Sequence, residues 1–229
     1  MTTILLGHEV CMDSLEKTPL STDILASVAI LSRGAESVRA VMTAEENRFS
    51  RALADLQRLA TSENIPLAIV GGLGAIRYGY PAATQYIDIA VARIQLDTLL
   101  QVAPHYGLKI QWQAESGWHT LMHGDVEINI VPEGGKARNS SPTTIPGPRQ
   151  LGVDKGLDYA HLPGWMELKL SSCRQKDRAH IVEVMKKSSA ALLQEARQHI
   201  AAIDPGYLQL FDLLLAEASY ERAQEEERQ

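Results

Sequence analysis

The stretch Pro66-Leu-Ala-Ile-Val-Gly-Gly72 constrains the fold more than any other feature of this chain. Four apolar residues in a row are too few for a helix and read as a buried strand. Gly71-Gly72 ends that strand, and Leu73 to Tyr78 reads as a short helix. A turn at Gly79-Tyr80-Pro81 leads to a second strand, Ile87-Asp-Ile-Ala-Val91. Strands and helices that alternate this closely predict a sheet with helices packed on it.

The flanking sequence extends this pattern. Before the strand, Phe49, Leu53, Leu56 and Leu59 mark one face of a helix, with Thr43 and Glu46 spaced as a capping box at its start. Asp23 to Met42 reads as a helix weakened by Gly34, and residues 1–20 as a loose arm or an extra edge element. After the second strand comes a helix over Gln95–Ala103, closed by Pro104. Strands follow at Leu108–Trp112 and Trp118–Met122, around a turn at Glu115-Ser-Gly117. Val126-Glu-Ile-Asn-Ile-Val131 alternates cleanly, the mark of a half-buried strand. Pro132 to Gln150 is a long loop rich in Pro, Gly, Ser and Thr. Helices are then predicted over Trp165–Cys173, Asp177–Lys187, Ala190–Ile203 and Pro205–Tyr220, with Glu221–Gln229 as a frayed, charged end. The expected fold is α/β (α+β): a mixed sheet flanked by helices, then a C-terminal helical region. Its divisions are 1–42 for the arm and first helix, 43–150 for the α/β body and 151–229 for the helical region.

Composition narrows the function classes. Hydrophobic residues make up 45% and charged residues 22%, as in ordinary globular proteins, and no apolar run approaches the roughly 18 residues of a membrane helix. Met1 to Leu6 has no basic leader, which argues against a secretory signal. Cys11 and Cys173 stand far apart without CxxC spacing, so two free thiols and a cytoplasmic location are expected. The net charge of −6 argues against broad nucleic-acid binding, although Lys169, Arg174, Lys176 and Arg178 form a local basic patch. The histidines show no zinc spacing, and no nucleophile elbow surrounds Ser140 or Ser141. A dinucleotide fingerprint fails because Arg77 stands where the third glycine belongs.

Three ordered segments resemble a known family. They are Val70-Gly-Gly-Leu-Gly-Ala75 followed by Thr84-Gln-Tyr-Ile-Asp-Ile89; Val126-Glu-Ile-Asn-Ile-Val-Pro-Glu-Gly-Gly135; and Leu162-Pro-Gly-Trp-Met-Glu-Leu-Lys-Leu170 with Arg174-Gln-Lys-Asp-Arg178. Together they are similar to the signature of nucleotidyltransferase-fold proteins of the DNA-polymerase-β type, including the minimal nucleotidyltransferases and the AbiEii-type toxin group. The resemblance covers roughly residues 65 to 187 and implies Mg2+ and an NTP as cofactor and substrate. In that chemistry two divalent ions bridge the nucleophile and leaving oxygens, so carboxylates must converge on them. Two Asp at i, i+2 on a strand share a face, and a neighbouring strand supplies a third.

Here the pattern is incomplete. Tyr86 stands in place of the first Asp, Asp88 remains, and Asn129 replaces the third acid. Glu127 or Asp125, two and four residues before Asn129 and on its strand face, are the stand-ins for a catalytic or metal-binding carboxylate; otherwise both are solvent-facing acids of an amphipathic strand. Gly71 and Gly72 either cradle a phosphate or permit a tight turn. Thr84 is a nucleotide contact or an ordinary strand residue, and Lys169 and Arg174 are phosphate contacts or solvated ion pairs. His180 reads as a helix-surface residue, and the three tryptophans as core or rim aromatics. Three functions stay open: a nucleotide- or partner-binding module with an eroded site, as in a toxin–antitoxin setting; an active enzyme moving an NMP to an RNA, protein or small molecule; and an oligomerising scaffold.

Overall fold

A computed structural model describes residues 35–43, 46–115 and 117–228. Among these, six strands form one mixed sheet: β1 Leu67–Ile69, β2 Tyr86–Val91, β3 Lys109–Gln113, β4 His119–His123, β5 Val126–Pro132 and β6 Leu157–Tyr159, in the order β3-β4-β5-β2-β1-β6. β2 pairs with β5 and β1 with β6 in parallel, and the other neighbours are antiparallel. The helices are α1 Arg48–Ser62, α2 Gly71–Arg77, α3 Leu96–Val102, α4 Leu162–Ser172, α5 Gln175–Lys187, α6 Ala190–Ile203 and α7 Pro205–Glu227. The architecture is the expected one, a mixed α/β body followed by a C-terminal helical region. No described helix is long and apolar enough to cross a membrane.

Alternation along the central strands separates two faces. Val126, Ile128, Ile130, Ile87 and Ile89 are buried, and α1 adds Phe49, Leu56 and Leu59 to the same core. Tyr86, Asp88, Glu127 and Asn129 point the other way and are only half-buried. Parallel pairing of β2 with β5 sets Tyr86 beside Glu127 and Asp88 beside Asn129. The polar residues of both strands therefore meet on a single face.

α4 closes the molecule over that face. Ten of its eleven residues are buried, from Leu162 to Ser172 apart from Leu168, so it shows no polar side to solvent. Trp165 is fully buried, and its indole N–H donates to the Gly71 carbonyl at 3.0 Å. A side chain on Gly74 would come within 2.4 Å of that ring, so the third glycine of the segment makes room for helix packing.

Several elements differ from the sequence expectation. The N-cap of α1 is Asn47, whose side chain accepts from the Phe49 and Ser50 amides while Ser50 Oγ accepts from the Asn47 amide. The capping box thus begins four residues after Thr43, whose hydroxyl donates to the Arg39 carbonyl instead. β6 was not anticipated: three residues carry too little periodicity to register, and it lies beyond residue 150 yet pairs with β1. The expected fray at Glu221 is also absent, because α7 continues to Glu227. Lys186 on α5, its side chain almost wholly covered, donates to Glu221 and Glu225 and anchors this extension. Residues 35–42 are helical; the rest of the expected first helix, the arm and Cys11 lie outside the described residues.

Candidate functional site

Asp88 lies at the centre of the polar face. Its Oδ1 accepts from the Asn129 amide at 3.3 Å, and Asn129 in turn accepts from the Thr120 hydroxyl at 3.3 Å. The carboxylate sits directly over Gly71, where a Cβ would fall 1.8 Å from Oδ2, and Gly71 has φ +64. Only glycine meets both demands. A Cβ on Gly72 would likewise lie 2.9 Å from Thr84 Cβ. Close packing against strand β2 and against Thr84, two residues before it, thus accounts for both glycines. α2, with seven residues, starts there without a side-chain cap.

Burial pushes the Asp88 carboxyl upward, against the Asn129 hydrogen bond and the positive charges of Lys169, Lys176 and Arg174. Those cations come from α4 and the start of α5. Lys169 is buried, with Nζ 2.8 Å from Asp177 Oδ1 and 3.3 Å from His180 Nδ1. Asp177 is fully buried and also accepts from Ser172 Oγ at 2.6 Å and Arg174 Nε at 2.7 Å. Burial opposes its charge, but Lys169 and these hydrogen bonds prevail and hold the carboxyl well below the usual range. Burial, and then the Lys169 ammonium, lowers His180 to about 4, so this histidine is a half-buried neutral group packed on Tyr80 rather than a surface residue. The Lys-Asp spacing of the sequence motif thus encodes a buried ion pair, with Arg174 capping it.

Two cavities flank Asp88. A polar groove is lined by Asp88, Gly71, Gly72, Thr84, Tyr86, Glu127, Asp125, Lys169, Arg174, Lys176 and Arg48, which includes every residue that the sequence assigned to the site. The second cavity shares Asp88, Gly71, Lys169 and Arg174 but is walled by aromatic rings. Within the groove, Thr84 is buried and its hydroxyl donates to the Tyr86 carbonyl at 3.0 Å. Lys176 Nζ donates to the Tyr86 phenol oxygen at 3.0 Å and has no carboxylate within ion-pair distance among the described residues. Asp125 lies just before β5, its side chain 64% exposed, and accepts from Arg48 Nη1 at 2.7 Å. Glu127 stands across from Tyr86, two positions along the ladder from the Asp88–Asn129 pair.

Arg48 was missed by sequence reasoning. Its Nη2 is buried without a hydrogen-bond partner among the described residues, although Nη1 and Nε hold Asp125 and Glu36. An arginine on an amphipathic helix gives no sign in sequence that a distant strand turn will enclose it.

The donor set does not fit a two-metal centre. Among the described residues, no group of three or more His, Cys, Asp or Glu side chains converges to hold a metal ion. Asn129 turns N–H toward Asp88 instead of a lone pair toward a shared cation. The phenol at position 86 faces an ammonium, and Asp125 is held by a guanidinium. Hard divalent ions need converging anionic oxygens, and only Asp88 offers one at the expected place.

No family model and no curated protein matches the chain. Eight chains of solved structures do. The antibiotic-resistance factor ANT(2'')-Ia in solution is 14% identical over 80% of this chain and 98% of its own, with a TM-score of 0.40. Its crystal structure with adenylyl-2"-tobramycin is 13% identical over 76% and 98%, with a TM-score of 0.38. The CCA-adding enzyme of Thermotoga maritima, complexed with tRNA, is 14% identical over 83% of this chain and 53% of its own, with a TM-score of 0.36. Likeness at this level carries no argument about activity; the side chains have to supply it.

Proposed function

We propose that the chain is a nucleotide-binding module on a nucleotidyltransferase-type scaffold that has lost two-metal transfer. One observation carries this reading: Tyr86 and Asn129 flank Asp88 on the sheet face and are committed to Lys176 and to Asp88 itself. Neutral side chains thus stand where anionic ligands belong, and an ammonium is positioned where a divalent ion would be repelled. The same groove retains features suited to phosphates. Among the described residues Lys176 makes no ion pair and one Arg48 N–H is buried without a partner, and Arg174 is partly exposed.

Calorimetry of the full chain with ATP and GTP, with and without Mg2+ or Mn2+, tests the proposal alongside incorporation of labelled NMP. Metal-independent binding, weakened about ten-fold by Lys176→Met, is the expected outcome. Magnesium-dependent incorporation that disappears in Asp88→Ala would instead establish an active enzyme. Absence of any nucleotide binding would leave an oligomerising or partner-binding scaffold. Tyr86→Asp combined with Asn129→Asp should raise Mn2+ affinity, since it restores two anionic oxygens beside Asp88.

A further inference from the structure

All three tryptophans of the chain line the second cavity, which has a volume of about 280 Å³. α4 contributes Trp165, the strand pair β3–β4 contributes Trp112 and the preceding Trp118, and the sheet face contributes Asp88 and Asn129. Trp165 is spent on the core. Trp112 is not: it is 54% exposed on edge strand β3, all of whose residues are exposed. Large aromatics beside a concave space with a few convergent polar groups are how small-molecule sites are built. The volume lies near the lower end of the roughly 300–1,000 Å³ typical of such sites, room for one ring system and not for a polymer.

The polar chemistry selects the ligand further. Lys169 and Arg174 are both tied to Asp177, whereas Asp88 has no ion-pair partner among the described residues and takes one hydrogen bond, from Asn129. Its remaining lone pairs are acceptors. Asn129 is itself oriented by Thr120, so the acceptor is held in place before any ligand arrives. A ring bearing N–H groups would be matched to this acceptor.

We infer that this cavity binds a planar heteroaromatic molecule, which stacks on Trp112 and Trp118 and donates an N–H to Asp88. The cavity shares Gly71, Tyr86, Asp88, Lys169 and Arg174 with the phosphate-facing groove and differs from it in its tryptophan wall, and the inference stands whether or not a nucleotide occupies that groove.

The probe is 2-aminobenzimidazole, a flat bicyclic compound with adjacent N–H donors, titrated into the full chain by tryptophan fluorescence and calorimetry. Saturable binding is expected, weakened about ten-fold in Trp112→Ala and by a similar factor in Asp88→Asn. Trp112 is exposed, so its variant should keep the wild-type circular dichroism, and its affinity for inorganic triphosphate should not change. Equal probe affinity in wild type and Trp112→Ala, or no saturable binding, overturns the inference. Triphosphate binding without probe binding sinks this site and spares the nucleotide reading; probe binding without triphosphate binding does the reverse.

Discussion

At Gly71 two requirements coincide on one residue. Its positive φ costs an L-residue about 1–2 kcal/mol, and a Cβ would overlap the Asp88 carboxylate. Gly71→Ala is therefore expected to lose at least about 2 kcal/mol in urea denaturation. Asp88→Ala in the same chain should recover part of that loss, because it removes the overlapping oxygen, and a strictly additive double variant would contradict the geometry. His180 makes a pH prediction. It faces Lys169, Lys176, Arg174 and Asp177, and its folded value of about 4 lies below the ordinary 6.5 or so. As the pH falls through about 6.5 the unfolded chain takes the proton first. The stabilisation is thus complete above that pH and is lost progressively down to about 4, at most about 3 kcal/mol. Urea midpoints at pH 7, 5.5 and 4 should fall less steeply in His180→Gln than in wild type. Parallel slopes would mean that the histidine titrates normally.

Among the elements, α1 offers a clean contrast. Asn47→Ala removes an acceptor for two amide N–H groups and should cost about 1 kcal/mol, whereas Thr43→Ala should leave thermal stability within about 0.5 kcal/mol. Equal losses would restore the capping box to Thr43. Sequence placed most of the other elements to within a few residues, including α6 at Ala190–Ile203, because their apolar periods are long or clean. It failed where the information is tertiary. β6 is short and partly exposed, and becomes a strand only through β1. The end of α7 is a charge run that would fray alone, and Lys186 of another helix holds it.

For the whole molecule, the expected division at residue 150 bears on what can fold separately. β6 and α4 both lie after it, one completing the sheet and the other burying Trp165 against Gly74 and Gly71. Residues 43–150 expressed alone should therefore lack cooperative thermal unfolding. In the full chain Trp165→Ala should cost about 3–5 kcal/mol, with far-UV and near-UV signals still lost together. A cooperative transition in the fragment, or separate transitions in the full chain, would show two independent units.

The sequence by itself determined which side chains share a face. Period-two alternation commits Tyr86 with Asp88, and Glu127 with Asn129, whatever surrounds them. It also brought Lys169 and Asp177 close in the chain, at the join of two helices. Tertiary structure decided what these residues do. The parallel register of β2 and β5 put an amide against Asp88, and α5 delivered Lys176 to the Tyr86 phenol. The packing of α4 turned Lys169 of the basic patch into half of a buried ion pair with Asp177. These outcomes depend on burial and on partners distant in sequence, and local periodicity carries no record of either.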